Sequence, residues 1–179
     1  MKRLLTVLAI LSLPSAALAS DFKVEVPAFA DGTLKSAQFA AAMGCTGGNV
    51  SPVVRWSGAP EGTKSFVVTL YDKDAPTGSG FWHWVVVDIP ADASLLKEGV
   101  GNDAAALPDG AHMTNTDMSV PGFLGACPPP GETHEYRLTV KALKVARLEL
   151  PANASPALVG FISNMNKLAE ASVVAKGGR

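Results

Sequence analysis

The stretch KSFVVTLYDKDAPTGSGFWHWVVVDIP, residues 64–90, decides how the chain is read. Two long apolar runs flank a polar loop, a pattern that predicts two β-strands joined by a connection rich in turn residues. The first run ends in Asp72 and Asp74, followed by Ala75-Pro76, and the second opens with His83 between Trp82 and Trp84. Alternate residues of a strand share a face, so Asp72 and Asp74 point the same way if the strand continues that far. Gly78 and Gly80 let the loop turn back and bring His83 toward the carboxylates. Apolar walls around a few convergent polar groups describe a small-molecule pocket.

Upstream, Phe22, Val24 and Val26 alternate with Lys23 and Glu25, a first strand that Pro27 ends or marks as an edge. Residues 28–52 are rich in Gly, Ala, Ser and Thr, with 44–52 reading as loop, 53–56 as a short strand and 58–63 as a turn. Downstream, 91–121 reads as long loops with at most one short strand, and GFLGACPPPG at 122–131 is loop. In EYRLTVKALKV, residues 135–145, Tyr136, Leu138, Val140 and Ala142 alternate with polar residues, which predicts a half-buried strand. The period then changes. Ser155 is a good N-cap and Pro156 fits the first helical position. Leu158, Phe161, Ile162, Met165, Leu168 and Ala169 recur at helical spacing, with Gly177 and Gly178 placed to close the helix. The expectation is a mainly β domain carrying one C-terminal helix. No repeat, linker or alternating βα rhythm is present, which argues against a parallel doubly wound sheet.

Residues 1–19 read as a cleaved signal peptide. Lys2 and Arg3 precede an apolar core, and Ala17-Leu18-Ala19 is a cleavage pattern. The apolar run is shorter than the ~20 residues that a membrane span needs. No second such run follows, so the mature chain, residues 20–179, is expected as a single periplasmic or secreted domain that does not span a membrane. The full sequence is 47% hydrophobic and 17% charged, ample for a core and too apolar for disorder. The net charge of -1 becomes -3 once two cations are removed with the leader, so no basic surface points to nucleic acid. Cys45 and Cys127 are an even pair in an oxidising compartment, which favours a disulfide; two buried free thiols are the alternative.

The chain has three histidines, His83, His112 and His134. On a strand, His134 and Tyr136 share a face. If the sheet brings them to the carboxylate loop, two imidazoles, a phenol, two carboxylates and loop amides surround one site. Imidazoles near backbone N–H groups suit an anion, and carboxylates orient and charge the imidazoles. Each feature also has a plain explanation: turn chemistry for Asp72 to Pro76, core packing for His83, and sheet packing for Tyr136. His112 has no supporting context and reads as surface or loop.

Taken together, the motifs resemble the phosphatidylethanolamine-binding protein family, in particular its bacterial, Raf-kinase-inhibitor-like branch. The resemblance rests on Asn49-Val50-Ser51-Pro52 with Trp56, then Pro60-x-Gly62-Thr63-Lys64-Ser65. It continues through Asp72-Lys73-Asp74-Ala75-Pro76, His83-Trp84-Val85-Val86, Gly125-x-Cys127-Pro128-Pro129-Pro130-Gly131 and His134-x-Tyr136. It implies an antiparallel β-sandwich with a C-terminal α-helix, and a pocket for phosphate-like groups that include phospholipid head groups. Carried across by motif, the pocket residues are Asp72, Asp74, His83, Gly125, Pro128, His134 and Tyr136. The resemblance also implies a cis Ala75–Pro76 bond. Lys73, Ala126 and Glu135 depart from the residues common at these motif positions: proline, proline and arginine. Glu135 is expected to point away from Tyr136, altering the rim and adding negative charge near an anion site.

The functional expectation is an exported, non-enzymatic binding protein for a small anionic ligand. A partner protein of the envelope, reached through the pocket mouth, and a homodimer are compatible with it. An exported chain does not meet cytosolic kinases, which argues against kinase inhibition. Two alternatives are a hydrolase using His83 or His134 as base and a metal site built from His83, His134 and Asp72. No Ser, Thr or Cys occupies a nucleophile elbow, and no cofactor is implied.

Overall fold

A computed structural model describes residues 22–179, so the leader and its cleavage site lie outside the described residues. Strand β1 (Lys23–Glu25) pairs with β2 (Val54–Ser57), and 65–90 supplies the long strands β3 (Ser65–Asp72) and β4 (Phe81–Pro90). The region 91–121 contributes two short strands, β5 (Leu95–Leu96) and β6 (His112–Met113). Strand β7 (Thr133–Leu143) is followed by helix α1 (Pro156–Asn166) and strand β8 (Lys167–Gly178).

Among the described residues, two antiparallel sheets form, in the orders β1-β2-β5 and β6-β4-β3-β7-β8. The smaller sheet packs on one face of the larger. Phe22, Trp56, Phe66, Leu70, Trp84, Leu138 and Val140 fill the space between them. Phe66 is central, its ring 6.1 Å from Phe22 and 5.2 Å from Trp56. Truncating such a side chain to Ala costs about 3–5 kcal/mol. On the outer face, Val67, Val85, Val87 and Leu143 pack under Leu148 and the helix residue Val159. The architecture is thus an antiparallel β-sandwich with one α-helix near the C-terminus.

The C-terminal segment corrects the expected helix. Ser155 caps it, accepting a hydrogen bond from the Leu158 amide, and Pro156 starts it. The helix ends at Asn166, however, and Gly177 and Gly178 lie in β8. Leu168 and Ala169 satisfy the helical period, but Ala169, Ala171, Val173 and Ala175 also satisfy period two. Pairing with β7 along nearly its whole length settles the ambiguity in favour of a strand. The helix turns Val159 and Ser163 inward and leaves Phe161 and Met165 exposed.

Candidate functional site

Three strands deliver the polar residues to one end of the large sheet. Asp72 ends β3 and lies opposite Tyr136 on β7, His83 is near the start of β4, and His134 is the second residue of β7. All four are buried. Asp72, His83 and His134 line a cavity of about 230 Å³. Its remaining walls are mostly apolar, from Met43, Ala75, Pro76, Phe81, Met118, Leu124 and Pro129.

Asp72 organises this cavity. One carboxylate oxygen accepts hydrogen bonds from the Asp74 and Ala75 amides, at 2.9 and 3.1 Å. The other lies 2.7 Å from His134 Nδ1 and 4.0 Å from His83 Nε2. The same side chain therefore fixes the loop that leaves β3 and contacts one imidazole. The 4.0 Å gap to His83 is too long for a hydrogen bond.

The two histidines are held differently. His83 Nδ1 lies 2.9 Å from the Leu124 carbonyl, which requires that nitrogen to carry the proton and turns Nε2 toward Asp72. Burial depresses its pKa below the usual histidine value, against the Leu124 carbonyl and Asp72, which favour the charged form. His134 lies just beneath the surface, with Nε2 3.0 Å from the half-exposed Glu132 carboxylate. Burial opposes its charge, but the bonds to Glu132 and Asp72 outweigh that and raise its pKa. Between the two pKa values, His134 is an imidazolium between two carboxylates while His83 is neutral.

The other sequence candidates surround this cavity without lining it. Tyr136 packs edge-on to His83 at 5.4 Å and stacks near His134 at 6.4 Å. Its hydroxyl is buried near Asp72 without a hydrogen bond of good geometry. Burial, and then the Asp72 charge, raise its pKa. Asp74 is turned away, because β3 stops at Asp72 and the strand parity that would align the two carboxylates ends with it. Asp74 instead accepts from Lys73 Nζ at 2.7 Å and from the Glu135 amide at 2.8 Å. These bonds, in that order, lower its pKa. Gly125 shapes the wall: its amide donates to Asn49 Oδ1 at 2.8 Å. A Cβ there would sit 2.4 Å from the Ala40 nitrogen. In the Gly-Pro loop it is Cys127 and Pro129, not Pro128, that reach the cavity.

Two further expectations concern the loops. The Ala75–Pro76 bond is trans, since the described residues contain no cis peptide. Asp72 already closes the turn through two amides, and the Thr77 amide donates to the Ala75 carbonyl at 2.8 Å. A turn built this way needs no cis isomer, and trans is favoured by ~0.5–1 kcal/mol. Cys45 and Cys127 form a disulfide, with Cα atoms 5.8 Å apart. It ties the loop carrying Met43 to the Gly-Pro loop on the cavity wall. A larger open hollow of about 550 Å³ lies beside it. Its one charged side chain is Arg179, which is bonded to the disulfide sulfurs, so the convergent chemistry belongs to the smaller cavity.

The sequence matches the family model described as phosphatidylethanolamine-binding protein over residues 26–177. The chain belongs to the phosphatidylethanolamine-binding protein family. Its relatives in that family include UPF0098 protein YbhB of Escherichia coli, 53% identical over 74% of this chain and 84% of that protein. UPF0098 protein YbcL of the same organism is 52% identical over 73% of this chain and 72% of that protein. The crystal structure of E. coli YbcL, described as a new member of the mammalian PEBP family, superimposes with a TM-score of 0.85 at 44% identity. That match covers 89% of this chain and 99% of the other. A family homolog from Chlamydia trachomatis shares the fold, with a TM-score of 0.74 at 21% identity over 90% of this chain and 99% of its own.

Several residues of the site were not singled out from the sequence. Glu132 carried a weak signal, being a carboxylate two positions before a strand histidine. The Leu124 carbonyl that sets the His83 tautomer carried none, because any residue has a carbonyl. Glu135, which departs from the family motif, lies on the outer face, 3.6 Å from Arg137, and does not line the cavity. His112 has a partner after all, with Nδ1 3.8 Å from the buried carboxylate of Asp88.

Proposed function

We propose that this protein is an exported, non-enzymatic binding protein of the cell envelope, whose cavity takes a small phosphate-like or carboxylate anion. A phospholipid head group falls within that class, and so does a group presented by a partner protein at the cavity mouth. The observation that carries this reading is that His83 Nε2 faces Asp72 across 4.0 Å, without a hydrogen bond, at the wall of a mostly apolar cavity. An incoming anion brings negative charge to a neutral imidazole and favours its protonation. Asp72 is already neutralised by the His134 imidazolium and by two amides, which limits its repulsion of the anion.

The same geometry supports binding over catalysis. Both ring nitrogens of His134 are engaged by carboxylates, so it is poorly placed to take a proton from a nucleophile. The two cysteines are joined, and the Thr77 hydroxyl on the cavity wall donates to the Gly80 carbonyl. Among the described residues, no three His, Cys, Asp or Glu side chains are arranged to hold a metal ion. For the envelope location, the leader pattern is joined by a Mycobacterium tuberculosis relative named as a putative lipoprotein, 34% identical over 76% of this chain. No helix among the described residues is long and apolar enough to cross a membrane.

Calorimetric titration with inorganic phosphate and with phosphoethanolamine tests the reading. Affinity is expected to rise as pH falls from about 8 toward 6, with the ligand's own ionisation near pH ~6 blunting the rise. His83→Ala is expected to weaken binding and flatten the slope. Equal affinity at every pH, or full affinity in that variant, would remove the imidazole from the account.

A further inference from the structure

The outer face of the large sheet carries a second concavity, directly behind the first. Helix α1 and Leu148 cover only the half of this face that bears Val67, Val85 and Val87. The uncovered half is a groove of about 270 Å³ whose lining runs from Tyr71 and Trp82 to Arg137, Thr139 and Lys141. Strand alternation builds it from the sequence neighbours of inward-facing residues: Tyr71 beside Asp72 and Trp82 beside His83, both on the cavity wall, and Arg137 beside Tyr136, which packs against the cavity histidines.

One end of the groove is aromatic. Tyr71 and Trp82 pair across β3 and β4 with ring centroids 4.5 Å apart and planes inclined by 42°. Tyr71 is fixed by donating its hydroxyl to the Ser79 carbonyl at 2.7 Å. Of the three tryptophans, Trp56 and Trp84 are buried and Trp82 is half-exposed. The other end is cationic. Arg137 is 53% exposed, and its nearest carboxylate, Glu135, is 3.6 Å away. Lys141 donates to two neutral groups, Ser163 Oγ at 3.2 Å and Asn164 Oδ1 at 2.7 Å. Lys167 and Glu170 neutralise each other at 2.7 Å, so the groove has a net positive charge in a chain whose total is -1. Between the ends lie the paired hydroxyls of Thr139 and Ser172, 2.8 Å apart.

We propose that this groove is a second binding site, for an acidic saccharide. The Trp82 and Tyr71 rings take the apolar C–H face of a sugar ring. Thr139 and Ser172 meet its hydroxyls. Arg137 and Lys141 take its carboxylate, the guanidinium in the planar two-bond arrangement that such a group favours. Burial lowers the Lys141 pKa, which an anionic partner would reverse. A single aromatic step in a chain without a basic stripe fits one sugar unit better than a nucleic-acid strand, which needs successive stacking platforms.

The test is a titration of the full chain with tetragalacturonate, followed by Trp82 fluorescence and by calorimetry, with maltotetraose and a single-stranded oligonucleotide as comparisons. The expected result is saturable binding of the uronate that weakens with added salt. Arg137→Gln and Lys141→Gln should each weaken it about tenfold, and Trp82→Ala should abolish it, whereas His83→Ala should leave it unchanged. Arg137 is exposed, so Arg137→Gln reports on binding even if Trp82→Ala fails to fold. Four results would overturn the proposal: no saturation at millimolar uronate, equal binding of maltotetraose, full affinity in both cation variants, or tighter binding of the oligonucleotide. Loss of phosphate binding in His83→Ala with uronate binding intact would separate this site from the cavity.

Discussion

The two faces of one sheet end show how far burial alone decides what a residue does. Tyr71 and Asp72 are adjacent in sequence, as are Trp82 and His83, and Tyr136 and Arg137. Asp72 and His83 line the buried cavity and Tyr136 packs behind its histidines, whereas Tyr71, Trp82 and Arg137 line an open groove. Inside, charges are few and every carboxylate oxygen of Asp72 is engaged. Outside, Arg137 is exposed beside Glu135 at 3.6 Å, and the half-buried Lys141 has neutral hydrogen-bond partners. The Asp72 charge on the inner face therefore ties the turn and His134 together, whereas the Arg137 charge on the outer face is exposed.

The largest expected effect that sharpens this contrast is loss of the disulfide. It closes a loop of 82 positions on the cavity side only. The chain-entropy model gives about 4–5 kcal/mol for it. Cys45→Ser with Cys127→Ser should lower unfolding stability in urea by up to that amount and weaken phosphate binding. The Trp82 emission of the folded protein should stay unchanged. A large change in that emission would mean that the two faces are not independent.

Asp72→Ala comes next. It strands two amides and removes the partner of the His134 imidazolium, a class of change that costs about 3–5 kcal/mol. Arg137→Ala, one strand over and on the other face, should cost under about 0.5 kcal/mol. Equal costs in urea denaturation would break the comparison.

A smaller effect separates the two histidines. His134 binds its proton more tightly folded than unfolded. Its contribution is complete below the ordinary histidine value of about 6.5 and is lost as pH rises through the raised folded value. His83 has the opposite sign, because its folded pKa is depressed. Stability from that source is complete above about 6.5 and falls as pH drops toward the folded value. Glu132→Gln should therefore destabilise the protein at pH 6 but not at pH 9, and by under about 1 kcal/mol because Glu132 is half exposed. A loss of equal size at both pH values would show that Glu132 acts through packing and not through the His134 charge.

Much of the fold could be read from period and punctuation. The runs 65–72 and 81–90 are too apolar and too β-branched for anything but central strands, and 133–143 alternates cleanly. What could not be read depends on partners distant in sequence. Strand β8 exists because β7 offers it an edge, and its Ala-rich alternation is too weak to announce a strand unaided. The position of Asp74 depended on where β3 stops, which Asp72 itself sets by capping the turn. The trans Ala75–Pro76 bond follows from the same cap. In the cavity, the residue types were legible, but the tautomer and charge of each histidine were not. Those rest on the Leu124 carbonyl and on Glu132, brought in by loops whose sequence says little about where they lie.

The central claim is that an anion enters the cavity by charging His83. Nitrogen NMR of the imidazoles at pH ~6.5, the ordinary histidine value, with and without saturating inorganic phosphate, tests it most directly. The expected result is a mostly neutral His83 protonated on Nδ1 in the free protein and an imidazolium in the complex, with His134 mostly charged in both. A His83 that is already charged without phosphate, or that stays neutral at saturation, would contradict it.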